Sequence, residues 1–178
     1  PRVAIKKKYI AVCKGKFTQS DIKKFMIGGK IIDKNFDQIF NLMQVSFPKE
    51  EFRDYEGQKK LLDNPKYSIV SRFAGNDKLI GFISFWSLNG FNFIEHFAVN
   101  PSQRGQGTGS KMLKEFIKES DKPVVLEVEL PGNEMAERRI GFYERNGFLL
   151  NTFDYYQKQL RAESSEMKLY FMSYTKKL

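Results

Sequence analysis

Cysteine occurs once in this chain of 178 residues, at Cys13, so no internal disulfide can brace it. No run approaches the roughly 18 apolar residues of a membrane-crossing helix, and no signal-peptide apolar core precedes a small-residue cleavage site. The expected compartment is therefore the cytoplasm. Internal repeats, low-complexity tracts and linkers rich in proline, glycine or serine are also missing, which leaves a single main domain as the economical division. No glycine-rich turn ends in Gly-Lys-Ser/Thr, which excludes a Walker A loop, and no succession of strand and helix units makes a dinucleotide-binding fold. A recognised nucleic-acid motif is absent too.

Hydrophobic residues make up 41% of the chain and aromatics 15%, with 17 phenylalanines, enough for a sizeable core without metal or disulfide support. The formal charge is +9. Part of that excess sits near the ends, in Lys6 to Lys8 and in Lys176 and Lys177, where lysines commonly form solvated tails. The remainder suits an anionic partner, and composition alone does not say which.

The most informative stretch runs from Phe91 to Ser120. An extended apolar segment ends at Val99-Asn100-Pro101 and feeds Arg104-Gly105-Gln106-Gly107-Thr108-Gly109 into a helix. Met112, Leu113, Phe116 and Ile117 share one face of that helix, and Lys111, Lys114, Glu115 and Lys118 take the other. Strand, glycine-rich turn and helix start together present free backbone N–H groups to an anion, aided by the positive end of the helix dipole. A plain tight turn would use glycine as well.

The pattern Arg104-x-x-Gly107-x-Gly109, preceded by Val99 to Pro101, resembles motif A of the GNAT superfamily, the acetyl-coenzyme-A-dependent N-acyltransferases. Downstream, Ala136 to Phe148 resembles motif B, a helix that carries a tyrosine, Tyr143, and ends in Asn146-Gly147-Phe148. The motifs stand in family order, and the chain from about Lys30 to Leu178 can be laid onto the family fold. The resemblance implies an α+β (mixed α/β) architecture with a central, mostly antiparallel twisted sheet flanked by helices. Residues 25–178 would form the acetyltransferase domain, and residues 1–24 an extension of uncertain structure.

Periodicity and turn signals give the element order. A strand end is expected at Lys30 to Ile32, and helices over the Phe36 to Met43 segment and over Lys49 to Leu62. Strands follow at Tyr67 to Phe73, Leu79 to Leu88 and Phe91 to Val99, with Asn89-Gly90 as a hairpin turn. After the glycine-rich helix come a strand at Val124 to Val128, a helix at Glu134 to Asn146 capped by Gly147, and strands at Phe148 to Tyr156 and Met167 to Tyr174.

The resemblance implies transfer of acetyl from acetyl-CoA to an amine by direct attack in a ternary complex, without a metal. Coenzyme A would be held by Arg104, Gly105, Gln106, Gly107, Thr108, Gly109 and Ser110, and along Phe97, Ala98 and Val99. Asn133 either caps the following helix or reaches the pantetheine. Tyr143 is the expected acid for the departing thiolate; outside the motif it would be an ordinary core-edge tyrosine. A nucleophilic Cys13 is the less favoured route.

A base is also needed. Strict alternation puts Phe91, Phe93, Glu95, Phe97 and Val99 on one face of the strand and Ile94, His96 and Ala98 on the other. Glu95 is the chosen candidate, against a surface carboxylate that neutralises a lysine. His96, the only histidine, is either a base or a satisfied structural residue. Glu127 and Glu129 share one face of the next strand and stand in reserve. The acceptor, a small-molecule or peptide amine, is expected against Phe47, Glu50, Glu51, Phe52, Tyr55 and Glu56, with Tyr155, Tyr156, Gln157 and Arg161 as a further wall. Membrane and nucleic acid are not expected partners, and a homodimer stays open. The rival readings are a basic nucleic-acid-binding module and a coenzyme-A-binding fold without turnover.

Overall fold

Phe36, Ile39, Phe40 and Met43 recur at helical spacing, and in the computed structural model, which describes residues 33–75, 77–160 and 165–175, they are buried along helix α1 (Asp33–Ser46). The expected strand end at Lys30 to Ile32, the extension 1–24 with Cys13, and Arg161 lie outside the described residues. The single helix expected over Lys49 to Leu62 is broken in two. A 3-10 turn (Lys49–Glu51) stops at Phe52, whose extended backbone turns its ring into the core. Asp54 then caps a fresh helix, α2 (Tyr55–Lys60), its Oδ1 accepting from the Gly57 N–H at 2.7 Å. Helical spacing of apolar residues spans this break, so periodicity alone does not reveal it.

Among the described residues six strands form one sheet: β1 (Tyr67–Phe73), β2 (Leu79–Ser87), β3 (Asn92–Val99), β4 (Val124–Glu129), β5 (Phe148–Gln157) and β6 (Met167–Tyr174). Their order is β1-β2-β3-β4-β6-β5, and every pair is antiparallel except β3 with β4. A parallel pair needs a crossover, and helix α3 (Thr108–Glu119) supplies it. Helix α4 (Glu134–Arg145) joins β4 to β5, and Gly147, at φ 90°, ends it in the left-handed conformation that favours glycine. Mixed α/β architecture is therefore observed as expected.

The sheet separates two cores. On one side α1 and the segment around α2 pack Phe36, Ile39, Met43 and Phe52 against Ile69, Phe73, Phe82 and Ala98. On the other, α3 and α4 bring Leu113, Phe116, Ile140 and Tyr143 against Ile83, Ile94, Leu126 and Val128.

Two irregularities in β3 shape everything that follows. Against β2, Ser84 pairs with His96 but Phe85 pairs with Ile94, so Glu95 is an extra residue, a β-bulge. The bulge reverses the alternation. Ile94 belongs to the α3/α4 core, yet two residues on His96 packs on Phe47, and two further on Ala98 belongs to the α1 core. Phe97 conversely joins the α3/α4 side and meets Phe142. Strict alternation across Phe91 to Val99 is thus corrected: Glu95 and His96 project toward the same side, with Glu95 Oε2 at 3.6 Å from His96 Nδ1. The second irregularity is a fork. Pairing between β3 and β4 covers only Asn92, Phe93 and Ile94 with Val124, Val125 and Leu126, and beyond that point the strands separate.

The upper end of β3 is held by close packing against β2. A Cβ at Gly81 would lie 2.7 Å from the Ala98 carbonyl oxygen and 3.1 Å from Met112 Sδ. Gly81→Ala should therefore destabilise the protein by about 1–3 kcal/mol, as overpacking does. Gly75→Ala, with open space around its Cβ, is the control. Thermal melts of both variants check this, and equal melting temperatures would refute it.

Candidate active site

The turn after β3 is built locally. Asn100 Oδ1 accepts from the Ser102 N–H at 3.1 Å and starts a 3-10 turn (Pro101–Gln103). Arg104 folds back so that its Nε donates to the Val99 carbonyl at 3.0 Å. Gly105 and Gly107 take φ of 76° and 73°, and a Cβ at either would point into open space. Gly107 is the N-cap of α3, and the first intrahelical bond runs from the Lys111 N–H to the Gly107 carbonyl. The N–H groups of Thr108, Gly109 and Ser110 are thus at the helix start, where no helical carbonyl precedes them. Glycines in the left-handed region, space above them and a helix N-terminus together form an anion cradle. The structure brings residues 104–110 together as the sequence predicts. Phe97 faces α4 beside them, and Gly109 abuts the Phe142 ring, where an added Cβ would approach to 3.4 Å. Ala98 turns to the opposite core. Asn133 is a helix cap, its Oδ1 accepting from the Ala136 N–H at 2.9 Å.

Across the fork, on the α1 side, four carboxylates gather. Glu95 follows the last β3–β4 pair, and its Oε1 accepts from Arg53 Nη1 at 2.9 Å. Its side chain is only 6% exposed, and among the described residues Oε2 has no hydrogen-bond donor. Glu127, the first residue of β4 beyond the paired stretch, accepts from Gln157 Nε2 at 2.9 Å and is bonded by the Tyr155 hydroxyl. Burial raises the Glu127 pKa, the Tyr155 hydrogen bond opposes this, and the Glu95 charge reinforces it. Burial and the bond to Glu127 in turn push the Tyr155 phenol up.

Glu129, two residues along β4, pairs with Arg139 of α4 at 3.0 Å and lies against Glu51. Burial first, and the Glu129 carboxylate next, raise the Glu51 pKa to about 7, with Arg139 pulling it down.

His96 holds this group in place through hydrogen bonds at both ring nitrogens. The Glu51 carbonyl can only accept, so the 2.9 Å contact requires the proton on Nε2. Nδ1 is then bare and takes the Ser84 hydroxyl hydrogen at 3.2 Å, while Ser84 Oγ accepts from the His96 backbone N–H at 3.1 Å. Burial lowers the histidine pKa and keeps the ring neutral. His96 is the satisfied structural histidine of the two sequence readings. It pins the Lys49–Glu51 turn, and with it Glu51, over the sheet.

Tyr143 sits on the opposite side, packed between Phe142 and Phe148 at 5.2 and 5.6 Å. Burial raises its pKa to about 12, with only Arg139 acting against that, so the phenol stays protonated at neutral pH. Arg139 pairs with Glu129, and its charge bears on Tyr143 one turn further along α4.

Glu51 was legible as part of the expected acceptor segment, and Tyr155 and Gln157 as part of its further wall. Glu50 and Glu56 of that segment are exposed, Phe52 is core, the Tyr55 hydroxyl donates to Asp37 at 2.6 Å, and Tyr156 is exposed. Arg53 and Arg139 had no sequence signal: each meets its partner only through the fold, Arg53 across 42 residues. Among the described residues no helix is long and apolar enough to cross a membrane.

The chain matches known proteins in sequence and in fold. The profile of the Acetyltransferase (GNAT) family covers residues 36–148, and the chain belongs to that family. A GNAT-family protein from Bacteroides thetaiotaomicron superposes with a TM-score of 0.73 at 34% identity, over 90% of this chain and 85% of that one. The Bacillus subtilis (strain 168) protein YjbC, named as an acetyltransferase, is 33% identical over 105 residues, which are 57% of this chain. The match spans 52% of YjbC, about half its length. An aminoglycoside 6'-N-acetyltransferase complexed with coenzyme A shares the fold, with a TM-score of 0.59 at 18% identity over 78% of this chain and 88% of its own.

Glu51 yields a stability test. The folded protein holds this proton up to about pH 7, whereas an ordinary glutamate releases it near pH 4.5, so between those values the folded state binds more protons and stability falls as pH rises. Glu51→Gln removes that loss. Relative to wild type, the variant should gain about 1–3 kcal/mol on going from pH 5 to pH 8, by linkage. Urea unfolding at both pH values measures this, and a difference independent of pH would refute it.

Proposed function

We propose that the protein is an acetyl-CoA-dependent N-acetyltransferase that passes acetyl to a primary amine by direct attack in a ternary complex. The observation that carries this reading is the fork. It opens the sheet between an anion cradle with a protonated phenol on one side and a buried carboxylate on the other. Family membership supports it, and so does a fold relative whose structure contains coenzyme A. The cradle fits that molecule's pyrophosphate: three N–H groups head α3, and the space a Cβ would fill lies open above Gly105 and Gly107. Use of acetyl-CoA supports the reading of a cytoplasmic enzyme.

Acetyl-CoA supplies the acetyl group already activated as a thioester. The work left to the chain is to bind, orient and move protons. Residues 104–110 hold the phosphates, and the β3 edge from Phe97 to Val99, free of β4, is available to the pantetheine arm. An aliphatic amine is an ammonium ion at neutral pH and must lose a proton before it can attack. Glu95 takes it, directly or through water, with its unpartnered Oε2. As the C–N bond forms the C–S bond breaks, and Tyr143 donates its hydrogen to the departing sulfur. A phenol near 12 is the weaker acid of the two, so this is chiefly a hydrogen bond that strengthens as charge develops on sulfur.

Gly107→Ala should bind acetyl-CoA about ten-fold or more weakly, because the added Cβ fills the space where a phosphate approaches the N–H groups and strains a left-handed backbone, so charge-assisted bonds to the phosphate are weakened. Calorimetric titration reads this, and an unaltered affinity in a folded variant would reduce the loop to a turn.

Tyr143→Phe should lower turnover by roughly ten- to ten-thousand-fold, the range of a general acid, with acetyl-CoA affinity retained. Glu95→Gln should lower turnover and weaken the acidic limb of the pH profile. Wild-type turnover in both variants, with any amine that the enzyme accepts, would remove both residues from the chemistry.

A further inference from the structure

The short connection from Phe52 to Asp54, between the 3-10 turn and α2, is tethered on both sides of Arg53. Upstream, His96 Nε2 donates to the Glu51 carbonyl at 2.9 Å. Downstream, the fully buried Gln58 of α2 donates from Nε2 to the Tyr67 hydroxyl of β1 at 2.7 Å. Phe52 is anchored in the core, and Asp54 caps α2. A solvated loop needs no such anchoring. Its effect is to hold one arginine at a fixed place over the sheet.

That place is Glu95, 42 residues away in the chain. Arg53 Nη1 meets Glu95 Oε1 at 2.9 Å, with the two side chains 23% and 6% exposed. The other titratable groups whose environment includes Glu95 do not supply a positive charge. Glu127 of β4 is a second carboxyl. Tyr67 of β1 is a phenol pushed up by burial and by the Glu95 charge. His96 is kept neutral by burial, with its proton directed to the Glu51 carbonyl and away from Glu95. Taking a carboxylate out of water favours its neutral form, whereas a guanidinium at hydrogen-bond distance favours the ionised one. A general base has to begin the reaction ionised.

We propose that Arg53 is a positioning residue of this site: it grips Glu95 at Oε1, holds that side chain as a carboxylate, and leaves Oε2 to take the proton of the incoming ammonium. The role rests on the acetyl-transfer reading, in which Glu95 is the base. As the N–H bond breaks an O–H bond forms at Oε2, and the guanidinium keeps its own protons throughout. Arg53 acts only through Glu95.

The test is a pH titration by carbon-13 NMR of protein labelled at the glutamate side-chain carboxyl, with the Glu95 signal identified by its loss in Glu95→Gln. In Arg53→Gln the titration midpoint of that signal should rise by about one pH unit or more, a ten-fold gain in proton affinity. Arg53→Met, which keeps the apolar stem, should show the same rise and serves if Arg53→Gln does not fold. Arg53→Lys returns the charge without the planar fork and should recover at least half of the change. A purely structural loss would open Glu95 to water and would not raise the midpoint. An unmoved or lowered midpoint in the folded Gln or Met variant, or a Lys variant no different from them, would overturn the proposal. So would loss of acetyl-CoA affinity in the Arg53 variants, read by calorimetry, since Arg53 would then serve the cofactor. Failure of the wild type to bind acetyl-CoA is the separate result that sinks the acetyl-transfer reading and the role of Arg53 with it.

Discussion

The three residue pairs that join β3 to β4 are the constraint on which the rest depends. The sheet is continuous because Asn92, Phe93 and Ile94 pair with Val124, Val125 and Leu126, and it forks because that pairing stops there. Had the ladder continued, the backbone groups beyond Ile94 would have been satisfied within the sheet and no opening would connect its two faces. The crossover through α3 permits the parallel pair, while β6 draws the end of β4 away by pairing as far as Glu129 with Leu169. What looks like a defect in one ladder is maintained by an intact ladder beside it.

The bulge at Glu95 falls at the same level as the fork, and the coincidence has consequences. Without the extra residue, His96 would point into the α3/α4 core and Glu95 would stand alone on the other side. With it, adjacent residues emerge together. His96 can then pin the Lys49–Glu51 turn while Glu95 faces Arg53, so one backbone irregularity fixes both the carboxylate and the wall opposite. Arg53 in turn supplies an opposite charge to a carboxylate that the fold takes out of water.

Local signals carried much of the fold. The bounds of β1, the α3 amphipathic face, the Asn133 cap and the Gly147 stop follow from residue type and spacing within a few positions, and each was legible. The anion cradle was legible for the same reason, since its glycines, its strand and its helix are contiguous. What escaped was non-local. Phenylalanines occupy both faces of β3, so a reversal of alternation at Glu95 leaves no mark in the hydrophobic pattern. The break at Phe52 was hidden in the same way, because Phe52 and Leu61 each satisfy helical spacing across it.

The carboxylates illustrate the limit differently. Each was visible as a residue, and nothing in the sequence showed that they meet: Glu51 comes from the turn after α1, Glu95 from a bulge, Glu127 and Glu129 from a strand thirty-odd residues on. Their perturbation is a property of the assembly. A glutamate on a solvated turn ionises near its usual value, and Glu51 departs from it because the fold removes water and supplies a second carboxylate at once. Holding such a group is a standing cost that hydrophobic packing on either side of the sheet must offset. That the fold bears it at the fork, and not along the outer strands, is the physical reason to seek the chemistry there.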